Sequence, residues 1–230
     1  MKRRFALLLL ALTVNAAGAN DTVSIDFDVT LEAAACTPVL SNNGKVDFGA
    51  RSMNSLSTNA FTQLGTRELT LTITCESSTA VAITARDTRP ASAVVGKDKN
   101  GGLGPLIADQ YVGDVTRTFG LGVTAENKPI GSYAVLINAA GVMVSEGSQQ
   151  VSVDIAGAGS KSGPWAKSEQ PVLPATEDYF YTFVKKGTVA PQPLSSASIP
   201  LTVSAAVANA LGSSQKITLD GEAVISLVYL

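Results

Sequence analysis

Apolar side chains recur at every second position along most of this chain, in short runs broken by Gly, Pro, Asn and Ser. That period is the signature of strands, whose side chains alternate between two faces, and no run past the N-terminal region carries the period of about 3.6 residues that a helical stripe requires. Strands are expected at Val23–Leu31, Val46–Phe48, Leu69–Thr74, Ala80–Ala85, Thr118–Thr124, Tyr133–Asn138, Gln150–Ile155, Tyr179–Lys185, Ile199–Val207 and Lys216–Tyr229. Residues 87–115, 157–175 and 187–200 gather proline and glycine and read as loops leaving the sheet edges. With no fixed internal repeat, such short strands and frequent turns point to an all-β sandwich.

The first residues stand apart from this pattern. Lys2, Arg3 and Arg4 precede an apolar run from Phe5 to Val14, and Ala17-Gly18-Ala19 supplies small side chains before Asn20. Residues 1–19 therefore read as a signal peptide, cut before Asn20. A membrane anchor is the poorer reading, because an apolar helix of that length rises only about 15 Å, half of a bilayer core. Taking 19 from 230 leaves 211 residues, enough for one large domain with its own core.

The leader removes three of 17 basic residues, so 14 Lys and Arg face 19 Asp and Glu, a net charge of −5. Such a balance gives no basic field for nucleic acid. Histidine is absent. Its absence removes the imidazole base of Ser-His-Asp and Cys-His catalysis and any His-ligated zinc. Cys36 and Cys75, in a chain bound for an oxidising compartment, are expected to form one disulfide; closing a loop of about 40 residues is worth roughly 4 kcal/mol on the chain-entropy model. A two-thiolate metal site is the alternative, and it lacks a third cysteine.

Both ends of the mature chain alternate strictly. Val23, Ile25, Phe27, Val29 and Leu31 share one face while Ser24, Asp26, Asp28 and Thr30 share the other. Ala223, Ile225, Leu227 and Tyr229 alternate in the same way with Val224, Ser226, Val228 and Leu230. A strand with one dry face needs a groove to lie in, and a long apolar edge strand needs a partner. The leading strand is the obvious partner of the final one, either in the same molecule or from a neighbour. Alternation by itself leaves both open.

The stretches EAAACTPVLSNNGKVDFG, LTLTITCESSTAVAITARDTR, FGLGVTAENKPIGSY and LDGEAVISLVYL together resemble the beta-type chaperone-usher fimbrial proteins. The likeness spans essentially the whole mature chain: an alternating extension, an early cysteine, a Val-Asp-Phe-Gly run, a second cysteine closing a strand, and a penultimate tyrosine. The resemblance implies an immunoglobulin-like, pilin-type sandwich that lacks its last strand, with residues 20–32 as a donor-strand extension and 33–230 as the sandwich. It implies that a periplasmic chaperone lends a strand, and that at an outer-membrane usher the next subunit's extension replaces it. Carried over by position, Val23, Ile25, Phe27, Val29 and Leu31 are donor residues. Ala223, Ile225, Leu227 and Tyr229 form the acceptor strand, and the Leu230 carboxylate meets basic residues of the chaperone. Where many such extensions have glycine seven residues before the first cysteine, this chain has Val29.

Other motifs weigh less. Ser213, Ser214, Gln215 and Lys216 match S-x-x-K, but ahead of a strand that spacing points nucleophile and base apart. Asp98, Asn100, Gly102 and Asp109 have part of a calcium loop's spacing, with Leu103 where the tight turn wants glycine. Trp165 and the run Tyr179, Phe180, Tyr181 and Phe183 offer a sugar platform or, more simply, core. Asp26 and Asp28 fall on the wet face of the leading strand. The sequence reading is a non-enzymatic fimbrial subunit, without cofactor or metal, exported through the periplasm to the cell surface and polymerising with neighbouring subunits. The alternative is an autonomous secreted β-sandwich binding module, with glycans as its candidate ligand, completed by its own leading strand.

Overall fold

In the computed structural model, residues 35–96, 104–209, 211 and 216–230 are described. The signal peptide, the strand expected at Val23–Leu31 and the calcium-like positions 98, 100 and 102 lie outside them, as do Ser213 to Gln215. The described residues form fourteen strands: Cys36–Leu40 (β1), Thr62–Thr79 (β2), Val81–Asp87 (β3), Leu106–Ile107 (β4), Gln110–Tyr111 (β5), Phe119–Gly120 (β6), Gly131–Ile137 (β7), Met143–Glu146 (β8), Gln149–Val151 (β9), Val153–Ala158 (β10), Ala166–Lys167 (β11), Phe180–Lys185 (β12), Leu194–Val207 (β13) and Ala223–Tyr229 (β14). Helix is confined to short 3-10 turns, and among the described residues no helix is long and apolar enough to cross a membrane.

Every pairing between these strands is antiparallel. One sheet runs β1-β2-β13-β7-β6, with β8 also on β13 and β9 on β8; the second runs β11-β10-β12-β3-β14; β4 and β5 form a separate hairpin. The alternation seen in the sequence supplies the core between the sheets. Leu71 and Ile73 of β2 meet Val81 and Ile83 of β3, Phe119, Ile137 of β7, Phe183 of β12 and Ile199 and Leu201 of β13, each essentially inaccessible. The expected all-β sandwich is the observed one.

The boundaries differ in instructive places. Val46–Phe48 is extended but unpaired, because Asn42, Asn43 and Gly44 all take positive φ and turn the chain off the edge of β2. The Arg67 guanidinium holds it instead, donating to the Asp47 carbonyl at 2.8 Å and lying 5.2 Å over the Phe48 ring. Within Lys216–Tyr229 only the last part pairs as a strand, since β3 ends at Asp87; ahead of Ala223 the described residues show single backbone bonds, Thr88 N–H to the Glu222 carbonyl and Asp220 N–H to the Leu121 carbonyl. Thr118–Thr124 shortens to β6 plus a bridge at Val123. The stretch 187–200, read as loop, enters β13 at Leu194 and carries Pro200 inside a central strand. There the Asn138 N–H donates to the Pro200 carbonyl at the last step of the β7 ladder, so the missing proline donor costs one terminal bond. Likewise 87–115 contains the β4-β5 hairpin and 157–175 contains β11.

A candidate assembly edge at the last strand

Cys36 and Cys75 form the expected disulfide. They stand directly opposite each other across β1 and β2, with Cα atoms 3.9 Å apart. The Glu76 N–H donates to the Ala35 carbonyl, so residues 35, 37 and 39 make the hydrogen-bonded pairs with β2. By alternation, Cys36, Pro38 and Leu40 turn their peptide groups to the free side of β1. That side is poorly equipped to accept another strand. Pro38 has no N–H, and the Cys36 N–H already donates to the Tyr229 hydroxyl at 2.8 Å.

The free side of β14 is the opposite case. Leu230 N–H donates to the Ala80 carbonyl and Thr88 N–H to the Glu222 carbonyl, which fixes the even-numbered residues of β14 as those bonded to β3. Ala223, Ile225, Leu227 and Tyr229 therefore aim their N–H and C=O groups away from β3, and among the described residues none of these has a backbone partner. Of these, Ala223, Ile225 and Leu227 turn their side chains inward, while Tyr229 stays exposed. Ala223, Ile225 and Leu227 pack on the core opposite Asp87, Ala85 and Ile83, yet are only partly buried. An edge with unused peptide groups and half-covered apolar side chains is a template for one more strand.

Beyond Ala223 this inward parity continues through Gly221, Leu219 and Ile217. There the segment faces Val46 and Phe48 across a cavity of about 530 Å³ that reaches down to Leu64. Gly221 is required at the turn into β14, since a Cβ there would lie 2.7 Å from the Tyr133 ring and 2.9 Å from the Gly120 carbonyl. A polar anchor fixes the same corner. Buried Asp87 accepts from the N–H groups of Arg89 (2.8 Å) and Gly120 (2.7 Å), and Arg89 pairs with Asp220 at 2.9 Å. Burial, reinforced by the charge of Asp87, pushes the neighbouring Tyr133 phenol far above its ordinary range.

The residues singled out in the sequence thus divide. Ala223, Ile225, Leu227 and Tyr229 share one edge, and Leu230 closes it; Val23, Ile25, Phe27, Val29 and Leu31 lie outside the described residues. Tyr181 and Phe183 are core, while Trp165 is half-buried beside Gly163. Lys216 stands at the cavity wall, and Asp109 occupies the turn of the β4-β5 hairpin with φ 61°. Sequence reasoning missed the cavity and the Tyr229–Cys36 bond. The first was visible as the unbroken odd-number parity from Ile217; the second carried no local signal.

A family model described as "Protein of unknown function (DUF1120)" matches residues 27–134. The chain is similar to the "Uncharacterized protein YhcF" of Escherichia coli (strain K12), 53% identical over 221 residues that cover 93% of each chain. It is also similar to "Protein GltF" of the same strain, 28% identical over 254 aligned positions covering 98% of this chain and 96% of the relative. No solved structure matches.

Proposed function

We propose, from the premise that this chain belongs to the same protein family as Escherichia coli YhcF, that it is a structural subunit of a chaperone-usher fimbria and polymerises by strand addition. The open edge of β14 carries this reading. Its outward peptide groups and inward apolar side chains ask for an alternating strand, and the sequence holds one at Val23 to Leu31. Burying five medium apolar side chains contributes a gross hydrophobic term near 10 kcal/mol before ordering costs, ample for a long-lived joint. The beta-type fimbrial resemblance supplies the partners: a periplasmic chaperone that covers β14 first, an usher, and the next subunit. The Cys36–Cys75 disulfide suits a passage through an oxidising periplasm to the surface. The role needs no catalysis, cofactor or metal.

Periplasmic expression with a chaperone-usher pair from the same genome tests it. Surface fibres containing this chain are expected, and deletion of residues 20–32 should abolish them while the sandwich still folds. A chain that stays monomeric and equally stable with or without that pair would be the autonomous binding module instead.

A further inference from the structure

The outer face of the first sheet, turned away from the core, carries a pattern of its own. In β2 the odd-numbered Leu71 and Ile73 face inward, so Thr70, Thr72 and Thr74 point outward between Glu68 and Glu76. The register extends two of these positions into rows that cross four strands. Val39 of β1, Thr72 of β2, Ser198 of β13 and Met143 of β8 stand side by side, and Thr37, Thr74, Ser196 and Ser145 form the next row. No charged residue interrupts either row. Thr37, Thr72 and Thr74 are exposed, and Val39 and Met143, 58% and 54% exposed, leave apolar side chains in water at the two ends of one row.

Such a face fits a copy of itself. Copies of one chain carry the same charges, and like charges brought together are costly, so a face that meets itself has to be free of them. A hydroxyl both donates and accepts, which makes hydroxyl rows complementary to hydroxyl rows. A second copy turned face to face about a two-fold axis parallel to the strands, midway between β2 and β13, lays its β8 over β1 and its β13 over β2. Val39 then meets the partner's Met143, Thr72 the partner's Ser198, and Thr74 the partner's Ser196, each contact occurring twice. An axis across the strands does worse. Centred on the Val39 row it sets Glu68 over the partner's Glu76, and between the rows it sets Val39 and Met143 on hydroxyls.

We propose that this face is a lateral contact between two copies of the chain, and that in fibres it joins one fibre side by side to another. The uncharged area measures roughly 20 Å in each direction, or about 400 Å² on each copy. A standard stable complex buries about 800 Å² per partner, so two free monomers pair only weakly. Subunits joined in fibres present the face repeatedly, and weak contacts made together hold far better than any one of them. The strength of bundling rests on the assembly reading; the face and its two-fold geometry do not.

Single cysteines test the geometry. In the mature chain Val39→Cys and Met143→Cys each add one exposed thiol, and among the described residues the Cys36–Cys75 disulfide leaves no other. The two variants are mixed at about 1 mM, where a small contact is populated, with a bismaleimide spanning roughly the 10 Å between packed sheets. They should link to each other at least about tenfold faster than either links to itself, because like positions lie about 14 Å apart sideways across the two-fold. Adding Thr72→Lys to both should remove that preference while circular dichroism stays unchanged. Equal rates for mixed and like pairs, or a preference that survives Thr72→Lys, overturns the contact. In surface fibres, electron micrographs should show bundles for the wild type and single fibres of equal length for Thr72→Lys; single fibres in both overturn the bundling. A mixed pair that links while no fibre forms with any chaperone-usher pair of the genome sinks the assembly reading and leaves the face standing.

Discussion

Leu227 separates a bare β14 from a covered one. It lies opposite fully buried Ile83, packs on the core and is only partly buried as long as the edge is open. Truncating a fully buried leucine to alanine costs about 2–5 kcal/mol, so Leu227→Ala in a chain lacking residues 20–32 should cost less than that, roughly 1–3 kcal/mol. A strand laid on the edge buries the remainder. Binding of a peptide of residues 20–33 to that shortened chain should therefore lose a further ~1–2 kcal/mol, or roughly 5- to 30-fold in Kd. Urea unfolding reads the first quantity and titration calorimetry the second. If the substitution costs the full amount in the shortened chain and leaves peptide affinity unchanged, Leu227 is already covered by something else and the open-edge account fails.

Other parts of the structure make separate demands. Asp87→Ala strands the buried Gly120 N–H and cuts two charge-assisted hydrogen bonds at the root of β14; it should cost about 3–5 kcal/mol in urea unfolding, with Asp87→Asn intermediate, and a loss under about 1 kcal/mol would contradict the anchor. Tyr133 has its folded-state ionisation pushed up chiefly by burial, so its contribution is complete below its unfolded value of 10.0 and is lost as pH rises beyond it. Thermal scans from pH 8 to 11 should show stability falling above about pH 10, less so in Tyr133→Phe; identical profiles would refute that assignment. Replacing both Cys36 and Cys75 with serine should cost roughly 4 kcal/mol and raise proteolysis within β1 before β2.

Much of this was legible in the residues, for physical reasons that also explain the rest. LTLTIT and the run from Leu201 to Val207 became central strands because each alternates over a length that one sheet face can bury. β1 was not legible: Pro38 sits at its middle, and only the pairing pattern reveals that its missing N–H falls on the free side, where nothing is lost. Val46–Phe48 alternates as a strand does, but positive φ at Asn42, Asn43 and Gly44 takes it off the sheet and leaves its side chains to wall a cavity. At the candidate site, the inward set Ala223, Ile225 and Leu227 followed directly from period two. Which neighbour β14 has, and on which side its peptide groups are free, is a matter of topology that no local pattern encodes.

Amide hydrogen exchange along β14 puts the open edge to the most direct test. In the chain lacking residues 20–32, the N–H groups of Val224, Ser226 and Val228 should be protected by β3, and those of Ala223, Ile225, Leu227 and Tyr229 should exchange fast. Adding the 20–33 peptide should slow only the odd-numbered set. Equal protection of both sets before the peptide is added, or no change in the odd-numbered set afterwards, would contradict a free acceptor edge.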